Sequence, residues 1–482
     1  MLKGFTRKYK PLEILTEEQI DAIHKGTLDV LEQTGMRFEH ERALKLFKKN
    51  GCEVDFEKRM VRFPPGLVEE SLRKTPSSWR WHARAPKDDI IVGGNTVYFG
   101  AFPGMQTVDL DTLEPRTATK QEYAEGVRVL DALNNTHMIH CYTPYFGFDG
   151  VPEVMKMPES LAVRIKNSSK VTFSAHSNDC EVFAIQMAAV TGADYPCQCL
   201  LSSPPLTYYA DAPECVFRVI EAGLPIRMSV GDVYGATSPA TIAGSTITVN
   251  AELIAGIVLA QLINPGQRII INDYSHPLNM RQGSPSFGSI GAALHRVMFN
   301  QMWRKYELPI YNLVSPTSSK EIDFQHGYEK GIGVILSAIS GANIVNFIGS
   351  MYGEIAHHPV QAILDDDIAG MVGRFIEGVK IIDETLAIDL IETVGPIPGH
   401  YLNKEHTRKW WKKEQFMPMV ADRLTYPEWI DKGKKSALDY AKERMDEIRA
   451  THEPTPLPED QYKEIDEILK KAKQYYKERG LF

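Results

Sequence analysis

The chain has 482 residues, of which 43% are hydrophobic and 24% charged, and its formal net charge is −8. This balance is typical of a soluble globular protein, long enough for one large barrel with additions or for two ordinary domains. The chain has no basic excess and no block of like charge, which argues against a nucleic-acid-binding protein.

The first residues, MLKGFTRKYKPLEIL, lack the apolar core of a signal peptide. The longest strongly apolar run, residues 253–263, is too short to span a bilayer. The six cysteines are few for a chain of this length, and most sit in apolar surroundings, which predicts free buried thiols in a reducing compartment. We therefore expect a cytoplasmic protein without a membrane-embedded part.

Residues 1–90 are predicted to form a helical N-terminal subdomain. Thr16 begins a helical pattern with an acidic first turn, and Gly35 ends it. Further along the chain, Thr119 is predicted to cap a helix, because the apolar residues after it have helical spacing.

Apolar strand candidates then recur along the chain, and helix-like stretches separate most of them. They are VYFGAF (97–102), MIHCYTPYF (138–146), VTFSAHS (171–177), QCLLSSPPL (198–206), IRMSVGDVY (226–234), IIINDYS (269–275), IYNLVSPTS (310–318) and IVNFIGSMY (344–352). Eight strands alternating with helices predict an α/β fold, a (β/α)8 TIM barrel over residues 91–395, with a helical C-terminal extension over 396–482.

The active site of such a barrel lies at the carboxyl ends of its strands. Those ends are rich in Tyr, Phe, Asn and Ser here, and nearly free of Lys and Arg. This composition favours a small organic ligand, a cation among the alternatives, over a phosphate.

Several familiar motifs are absent from the sequence. It contains no GxGxxG that opens a helix after a strand, no GxxxxGK[ST] and no GxSxG. Cys197 and Cys199 would face the same side of a strand, but no second ligand pair accompanies them at a spacing typical of zinc. Core packing of these thiols is the favoured interpretation, and we predict no metal site.

The stretch SPTSSKEIDFQHGYEKGIGVILSAISGANIVNFIGSM (315–351) resembles the trimethylamine methyltransferase family. Residues 117–133, 235–266, 365–379 and 399–423 support this resemblance, which extends in order over most of the chain. It implies a (β/α)8 barrel that transfers a methyl group from a methylated amine to a corrinoid protein. The corrinoid, a cobalamin-type cofactor, would be supplied by that partner protein, and no tightly bound cofactor is expected.

Trimethylamine enzymes of this family carry pyrrolysine, whereas this chain shows only standard residues. It therefore resembles the branch without pyrrolysine, whose substrates are quaternary amines such as glycine betaine, proline betaine and carnitine. Attack on a methyl group of a quaternary ammonium releases a neutral tertiary amine, so no general acid is required. Orientation and desolvation of the substrate remain as the work of the enzyme, and no catalytic residue is assigned.

The predicted substrate-binding residues fall into two groups. Aromatic faces would hold the methylated cation, and hydrogen-bond donors would hold a carboxylate. The aromatic candidates at strand ends are Tyr98, Phe102, Tyr145, Phe173, Tyr208, Tyr234, Tyr274, Phe347 and Tyr352, and the donors are His176, Asn272 and Ser315. Any single aromatic residue has a core or rim position as its alternative, and His176 is equally interpretable as a structural histidine.

Two further aspartates, Asp232 and Asp273, either face the cation or cap the loops that they begin. Asp323 is predicted to cap the helix after the seventh strand. The leading hypothesis is a betaine:corrinoid methyltransferase, with glycine betaine as the preferred substrate and a homo-oligomer as the expected assembly. Another betaine as substrate, a non-catalytic quaternary-amine-binding protein and a zinc-dependent methyltransferase are the alternatives.

Overall fold

The computed structural model describes residues 1–140, 148–200, 202–314 and 317–482, and for residues 198–200 it describes the backbone only. Tyr145 and Ser315, two of the predicted site residues, lie outside the described residues.

A closed parallel barrel forms the centre of the described chain. Its strands are β1 (Thr96–Ala101), β2 (Met138–Ile139), β3 (Val171–Thr172, continued as Ser174–Ala175), β4 (Cys197–Leu200), β5 (Ile226–Val230), β6 (Ile269–Asp273), β7 (Ile310–Leu313) and β8 (Ile344–Ile348). Each strand pairs in parallel with the next, and β8 pairs with β1. Phe173 interrupts β3, whose first segment pairs with β2 and whose second pairs with β4. The ring is thereby complete, which confirms the predicted fold class, and every strand candidate overlaps a barrel strand. Residues 141–146 of the second candidate, 201 of the fourth and 315–316 of the seventh lie outside the described residues.

Helices alternate with these strands and surround them. Ahead of the barrel stand α1 (Glu17–Asp29), α2 (Glu41–Lys49) and α3 (Pro65–Lys74). The barrel helices that follow β1 to β8 in turn are α4 (Lys120–Ala132), α5 (Lys156–Asn167), α6 (Glu181–Thr191), α7 (Asp211–Glu221), α8 (Ile242–Ile263), α9 (Ile290–Lys305), α10 (Phe324–Ser340) and α11 (Pro359–Ile376). The C-terminal helices are α12 (Asp383–Leu386), α13 (Ile388–Val394), α14 (Glu405–Glu414), α15 (Tyr426–Asp431), α16 (Ala437–Thr451) and α17 (Glu459–Glu478).

The helix starts predicted from the sequence are present. Thr16 and Thr119 each form a capping box, in which the threonine side chain accepts from a backbone N–H three residues later. Asp323 caps α10 by accepting from the backbone N–H of His326. Gly35 ends the first helical stretch with a φ of 76°, a conformation that residues with a Cβ rarely adopt.

The N-terminal part contains short strands as well as helices. Met36–Phe38, Glu53–Asp55 and Met60–Arg62 form an antiparallel sheet, to which Thr207–Tyr208 adds a parallel strand. The ring of Tyr208 stacks on that of Phe38 with their centroids 4.5 Å apart. The loop after β4 is thus packed into the N-terminal part.

A β-hairpin closes the amino end of the barrel. It pairs Ser78–Trp81 with Ile90–Gly93. Trp81 is fully buried and its indole N–H donates to the carbonyl of Asp194, just ahead of β4, at 3.0 Å. The indole N–H of Trp79 donates to the first carbonyl of β6, at 3.0 Å. The carboxyl ends of the strands are therefore left as the mouth of the barrel.

The helix α8 is long and apolar enough to cross a membrane by length and composition alone. Within the fold, however, most of its residues are buried, and Gly256 lies where an added Cβ would be 3.1 Å from the sulfur of Met228 in β5. It is packed as a core helix.

Short paired segments complete the described chain, mostly at the barrel rim. They are Phe5–Thr6, Thr107–Val108, Pro115–Arg116, Val233–Tyr234, His276–Asn279, Ser284–Pro285, Ser350–Met351 and Ala356–His357. The C-terminal helix α17 buries Ile465, Ile468, Ala472 and Tyr476 in a cluster with residues of α5 and α6. The C-terminal end of the chain is thereby packed on the outside of the barrel.

Candidate active site

A carboxylate is hydrogen-bonded to one member of a series of neighbouring aromatic side chains at the mouth of the barrel. Tyr274 follows β6 directly, and its hydroxyl donates to the Oε2 of Glu354 at 2.9 Å. The ring of Tyr274 lies 6.1 Å from that of Phe102 and 4.6 Å from that of His276, and His276 lies 4.8 Å from Phe287. We call these five residues the mouth cluster.

The turn after β8 brings Glu354 to this position. Ser350–Met351 pairs with Ala356–His357 in a tight hairpin, and its turn has positive φ at Tyr352 (54°) and Gly353 (67°). A Cβ on Gly353 would lie 3.0 Å from the ring of Phe287, so the absence of a side chain lets the turn approach that ring. The hairpin therefore presents its carboxylate to the aromatic side chains of the loop after β6.

Burial dominates the electrostatics of the cluster. It raises the pKa of Glu354, and the hydrogen bond from Tyr274 offsets part of that rise. Burial and the charge of Glu354 together raise the pKa of Tyr274 well above its usual value, so this hydroxyl stays a donor. Burial and the nearby Arg296 lower the pKa of His276 well below its usual value, so its ring is neutral at pH 7. A cation entering the cluster would stabilise the ionised form of Glu354.

A second polar network lies behind the cluster, at the ends of β5 and β6. His295 Nδ1 is 3.0 Å from Asp273 Oδ2, and its Nε2 is 3.1 Å from the hydroxyl of Ser245, which donates to Asp232 at 2.8 Å. Burial would raise the pKa of Asp273, but His295 and the nearby Arg296 overcome this effect and lower it to about 2. Asp232 and Asp273 are both buried: Asp232 accepts from the hydroxyls of Ser238 and Ser245, and Asp273 accepts from the backbone N–H of Ser275.

Below the mouth, the barrel interior combines aromatic and polar side chains. The guanidinium of Arg227 lies 4.6 Å from the ring centroids of both Phe173 and Tyr311. Two residue pairs further along the strands, the amide of Asn272 donates to the hydroxyl of Ser229. The barrel interior directly below the mouth is therefore lined partly by polar side chains.

The structure brings some of the predicted residues together. Phe102 and Tyr274 belong to the mouth cluster, and Phe173 and Asn272 lie in the barrel interior beneath it. His176 follows the end of β3 with its side chain mostly buried, and its Nδ1 has no hydrogen-bond partner among the described residues.

Other predicted residues lie away from this group. Tyr98 sits near the amino end of β1, where its hydroxyl accepts from the backbone N–H of Ile91 in the closing hairpin, at 3.3 Å. Phe347 points outward to the helix layer, with its ring 6.1 Å from Phe99 and 6.0 Å from the Nζ of Lys330 in α10. Neither residue therefore belongs to the mouth cluster, since Tyr98 lies near the amino end of its strand and Phe347 faces the helix layer.

Three further aromatic residues pack around the barrel. Tyr208 is stacked in the N-terminal part, and its hydroxyl donates to the carbonyl of Glu252 at 2.6 Å. Tyr234 stacks on His295 with centroids 5.6 Å apart. Tyr352 is at the rim, where the Nζ of Lys320 lies 5.4 Å from its ring.

Sequence reasoning missed Glu354, His276 and Phe287. A signal for the first was present, since Glu354 stands two residues after the end of the eighth strand candidate, in MYGEI (351–355). His276 begins a loop hairpin, His276–Asn279 with Ser284–Pro285, and Phe287 follows it; no strand candidate covered this loop.

Other possible sites are weaker. A cavity of about 100 Å³ lies between α9 and α10 and is lined by residues of these helices such as Ile290 and Ile332, so it is outside the barrel wall. No group of three potential metal ligands is found among the described residues. The sulfur of Cys197 lies 3.3 Å from that of Cys215, and the side chain of Cys199 is outside the described set.

The sequence of this chain matches a known protein family over most of its length. The family model described as trimethylamine methyltransferase (MTTB) matches residues 1–476. The chain belongs to this family. A trimethylamine methyltransferase MttB of Desulfitobacterium hafniense (strain DSM 10664 / DCB-2) is 30% identical over 460 residues, which cover 92% of this chain and 90% of the relative. A glycine betaine methyltransferase of Desulfitobacterium hafniense (strain Y51) is 32% identical over 458 residues, with coverages of 92% and 94%.

Among solved structures, the monomethylamine methyltransferase of Methanosarcina barkeri covers 96% of this chain and 93% of its own, with a TM-score of 0.43 and 13% identity. As a member of the MTTB family, the chain is a methyltransferase of the class that acts on methylated amines.

Proposed function

We propose that this methyltransferase removes one methyl group from a quaternary amine, with glycine betaine as the preferred substrate. The methyl group passes to the Co(I) corrinoid of a partner protein. The mouth cluster carries the proposal, because it combines the Glu354 carboxylate with neighbouring aromatic rings, of which Tyr274 donates to that carboxylate. Each face is worth about 0.5–2 kcal/mol to a methylated cation, depending on desolvation. The glycine betaine methyltransferase among the relatives supports the choice of substrate.

The reaction needs no proton at the methyl donor. Co(I) attacks a methyl carbon, the C–N bond breaks, and its electron pair stays on nitrogen, which leaves as a neutral tertiary amine. The contribution of this chain is to hold the cation at Glu354 and the aromatic rings, to exclude water and to leave one methyl group facing the acceptor.

The carboxylate of a betaine would be held on the other side of the mouth. His176 follows β3 and Tyr274 follows β6, so the two lie three strands apart around the ring. The buried Nδ1 of His176 has no hydrogen-bond partner among the described residues and can donate to a carboxylate. Asn272 in β6, two residues before Tyr274, offers its side-chain amide as a second donor.

Proline betaine, carnitine and related betaines share both charged groups and are the nearest alternative substrates. A non-catalytic quaternary-amine-binding protein would use the same cluster without methyl transfer. We place the reaction in the cytoplasm, because a Co(I) acceptor requires a reducing compartment.

The test is methyl transfer to added Co(I)-cobalamin, followed by the absorbance of methylcobalamin. Glycine betaine, other betaines, dimethylglycine and trimethylamine are compared at equal concentration. We expect methylcobalamin from glycine betaine with dimethylglycine as the product, and little from dimethylglycine or trimethylamine. Equal rates from all of these compounds would refute the quaternary-amine mechanism, and transfer from another betaine alone would replace only the substrate.

A further inference from the structure

A projecting segment of the chain, residues 379–412, leaves its apolar side chains uncovered. The helices α12, α13 and α14, which lie largely within it, contain no buried residue. Of the 32 exposed large hydrophobic residues among those described, ten belong to this segment, among them Ile381, Ile388, Ile391, Ile397 and Leu402. Ile397 is 94% exposed and Leu402 is 88% exposed. We call residues 379–412 the arm.

Both ends of the arm are attached at one point. The guanidinium of Arg374 in α11 donates to the carbonyl of Gly378 at 2.7 Å and to the carbonyl of Lys413 at 3.1 Å. Beyond the arm, the backbone N–H groups of Met419 and Val420 donate to the carboxylate of Asp367 at 2.7 and 2.9 Å. The chain therefore leaves the barrel beside Arg374, forms the arm, and rejoins the barrel beside the same side chain.

Polar contacts connect the helices α12 and α14 within the arm. The Nε2 of His406 is 3.0 Å from the carbonyl of Glu384, and Lys409 pairs with the carboxylate of the same residue. These contacts hold α14 against α12 and leave a groove of about 590 Å³, whose lining includes Leu386 and Ile388. Helices of 4, 7 and 10 residues are marginal in water on their own, so their stability must come from a surface that covers them.

We propose that the arm is buried against a second copy of this chain. The ten exposed large side chains of the arm offer on the order of 1,000 Å² of apolar surface per chain. For two copies this reaches the range of about 2,000 Å² or more that is buried in permanent dimers. A surface this rich in aliphatic residues needs a permanent cover, whereas transient partners meet more polar surfaces. A second copy is present wherever the protein is made, and it supplies such a cover.

The attachment point of the arm favours a second copy over the methyl acceptor as its occupant. The end of α11 lies beside the N-terminal strand, where the backbone N–H of Lys8 donates to the carbonyl of Ile376 at 3.2 Å. That strand pairs with Val97 and Thr96, at the amino end of β1. The arm therefore leaves from the end of the barrel opposite to the mouth, whereas a protein that receives a group from the mouth must dock at the mouth.

The experiment measures the mass of the purified full chain by light scattering at about 10 μM, and hydrogen exchange of the arm amides. We expect a dimer or larger assembly with protected amides in α13. The double variant Ile388→Glu/Ile391→Glu should lose at least half of the mass and the arm protection, while the far-UV circular dichroism of the barrel is retained. The matched control is Phe56→Glu, at an exposed apolar residue between the strands Glu53–Asp55 and Met60–Arg62. It should keep the wild-type mass.

A second variant guards against misfolding of the double variant. Because both ends of the arm bond to Arg374, a short Gly-Ser linker in place of residues 380–411 should leave a folded, smaller species. A monomeric wild-type chain would overturn the proposal. If that monomer sediments with phosphatidylglycerol vesicles, the arm binds a lipid surface and the proposal is still overturned. An unchanged mass in both arm variants would overturn it as well. Neither result bears on methyl transfer, which is measured separately with cobalamin.

Discussion

At the scale of single residues, the pair formed by Tyr274 and Glu354 decides the charge of the mouth. Tyr274 stays protonated because burial and the neighbouring carboxylate both raise its pKa. Its hydroxyl can therefore only donate to Glu354, and it leaves the remaining lone pairs of that carboxylate to face a cation. The two residues act as one acceptor site framed by aromatic rings.

Replacement of Glu354 by glutamine tests this role. Glu354→Gln keeps the size and the hydrogen bond from Tyr274 but removes the charge, so we expect KM for the quaternary amine to rise about 10- to 100-fold, equivalent to about 1.4–2.8 kcal/mol. The melting temperature should stay close to that of the wild type. Glu321→Gln, at an exposed carboxylate of the loop after β7, is the control and should leave KM unchanged. An unaltered KM in folded Glu354→Gln would remove this carboxylate from the site.

The affinity for the cation should also depend on pH. Burial raises the pKa of free Glu354, and a bound cation lowers it again, so binding is strongest above the pKa of the free enzyme. As the pH falls through that value, affinity should weaken by up to about tenfold per pH unit. Binding of glycine betaine measured by calorimetry between pH 5 and 8 checks this, and Glu354→Gln should give a flat profile. A wild-type profile that is equally flat would contradict the assignment.

At the scale of secondary-structure elements, a buried ion pair joins the helices after β7 and β8. Lys330 in α10 and Asp365 in α11 are both fully buried, with Nζ 2.6 Å from Oδ2. The same carboxylate oxygen accepts from the backbone N–H of Gly349, the first residue after β8, at 2.7 Å. Burial lowers the pKa of Lys330 and raises that of Asp365, and the pair opposes both shifts. The start of the hairpin that carries Glu354 is therefore fixed by a helix–helix contact.

Loss of the lysine should destabilise the protein strongly. Lys330→Met leaves the Asp365 carboxylate buried without its cation, which typically costs about 3–5 kcal/mol. The double variant Lys330→Met/Asp365→Asn should recover part of that loss, because no uncompensated charge remains. Thermal melting of the two variants measures the difference, with the exposed Lys45→Met in α2 as control. A double variant no more stable than the single one would show that the charge is not the cause.

At the scale of the whole molecule, the two ends of the barrel have separate tasks. The hairpin with Trp79 and Trp81 fills the amino end, and the mouth cluster occupies the carboxyl end. On the proposed function, stability and substrate binding thus depend on opposite ends of one interior.

This separation predicts the effect of opening the closed end. Trp81→Ala removes a fully buried side chain that packs on Phe173 with centroids 4.9 Å apart, and should destabilise by about 3–5 kcal/mol. KM for the substrate should change less than twofold in the fraction that stays folded. Denaturation followed by tryptophan fluorescence and kinetics at low temperature measure the two effects, with Phe56→Ala as the control. A large rise in KM without loss of stability would refute the division of tasks.

The sequence determined the order of the elements. Parallel strands that are buried on both faces appear as apolar runs, and the helices between them start at side chains such as Thr119 and Asp323 whose capping is local. Local signals of this kind do not depend on the rest of the fold, so the eight strands and their alternation with helices were predictable.

Only the tertiary structure decided which strand-end residues meet. Phe102 and Phe347 each stand near the end of an apolar strand, but the register of the barrel turns the first to the mouth and the second to the helices. Glu354 contacts a tyrosine 80 positions earlier in the chain. A contact of that separation depends on barrel closure and on a hairpin with positive φ, because residues far apart in sequence are brought together by the path of the whole backbone.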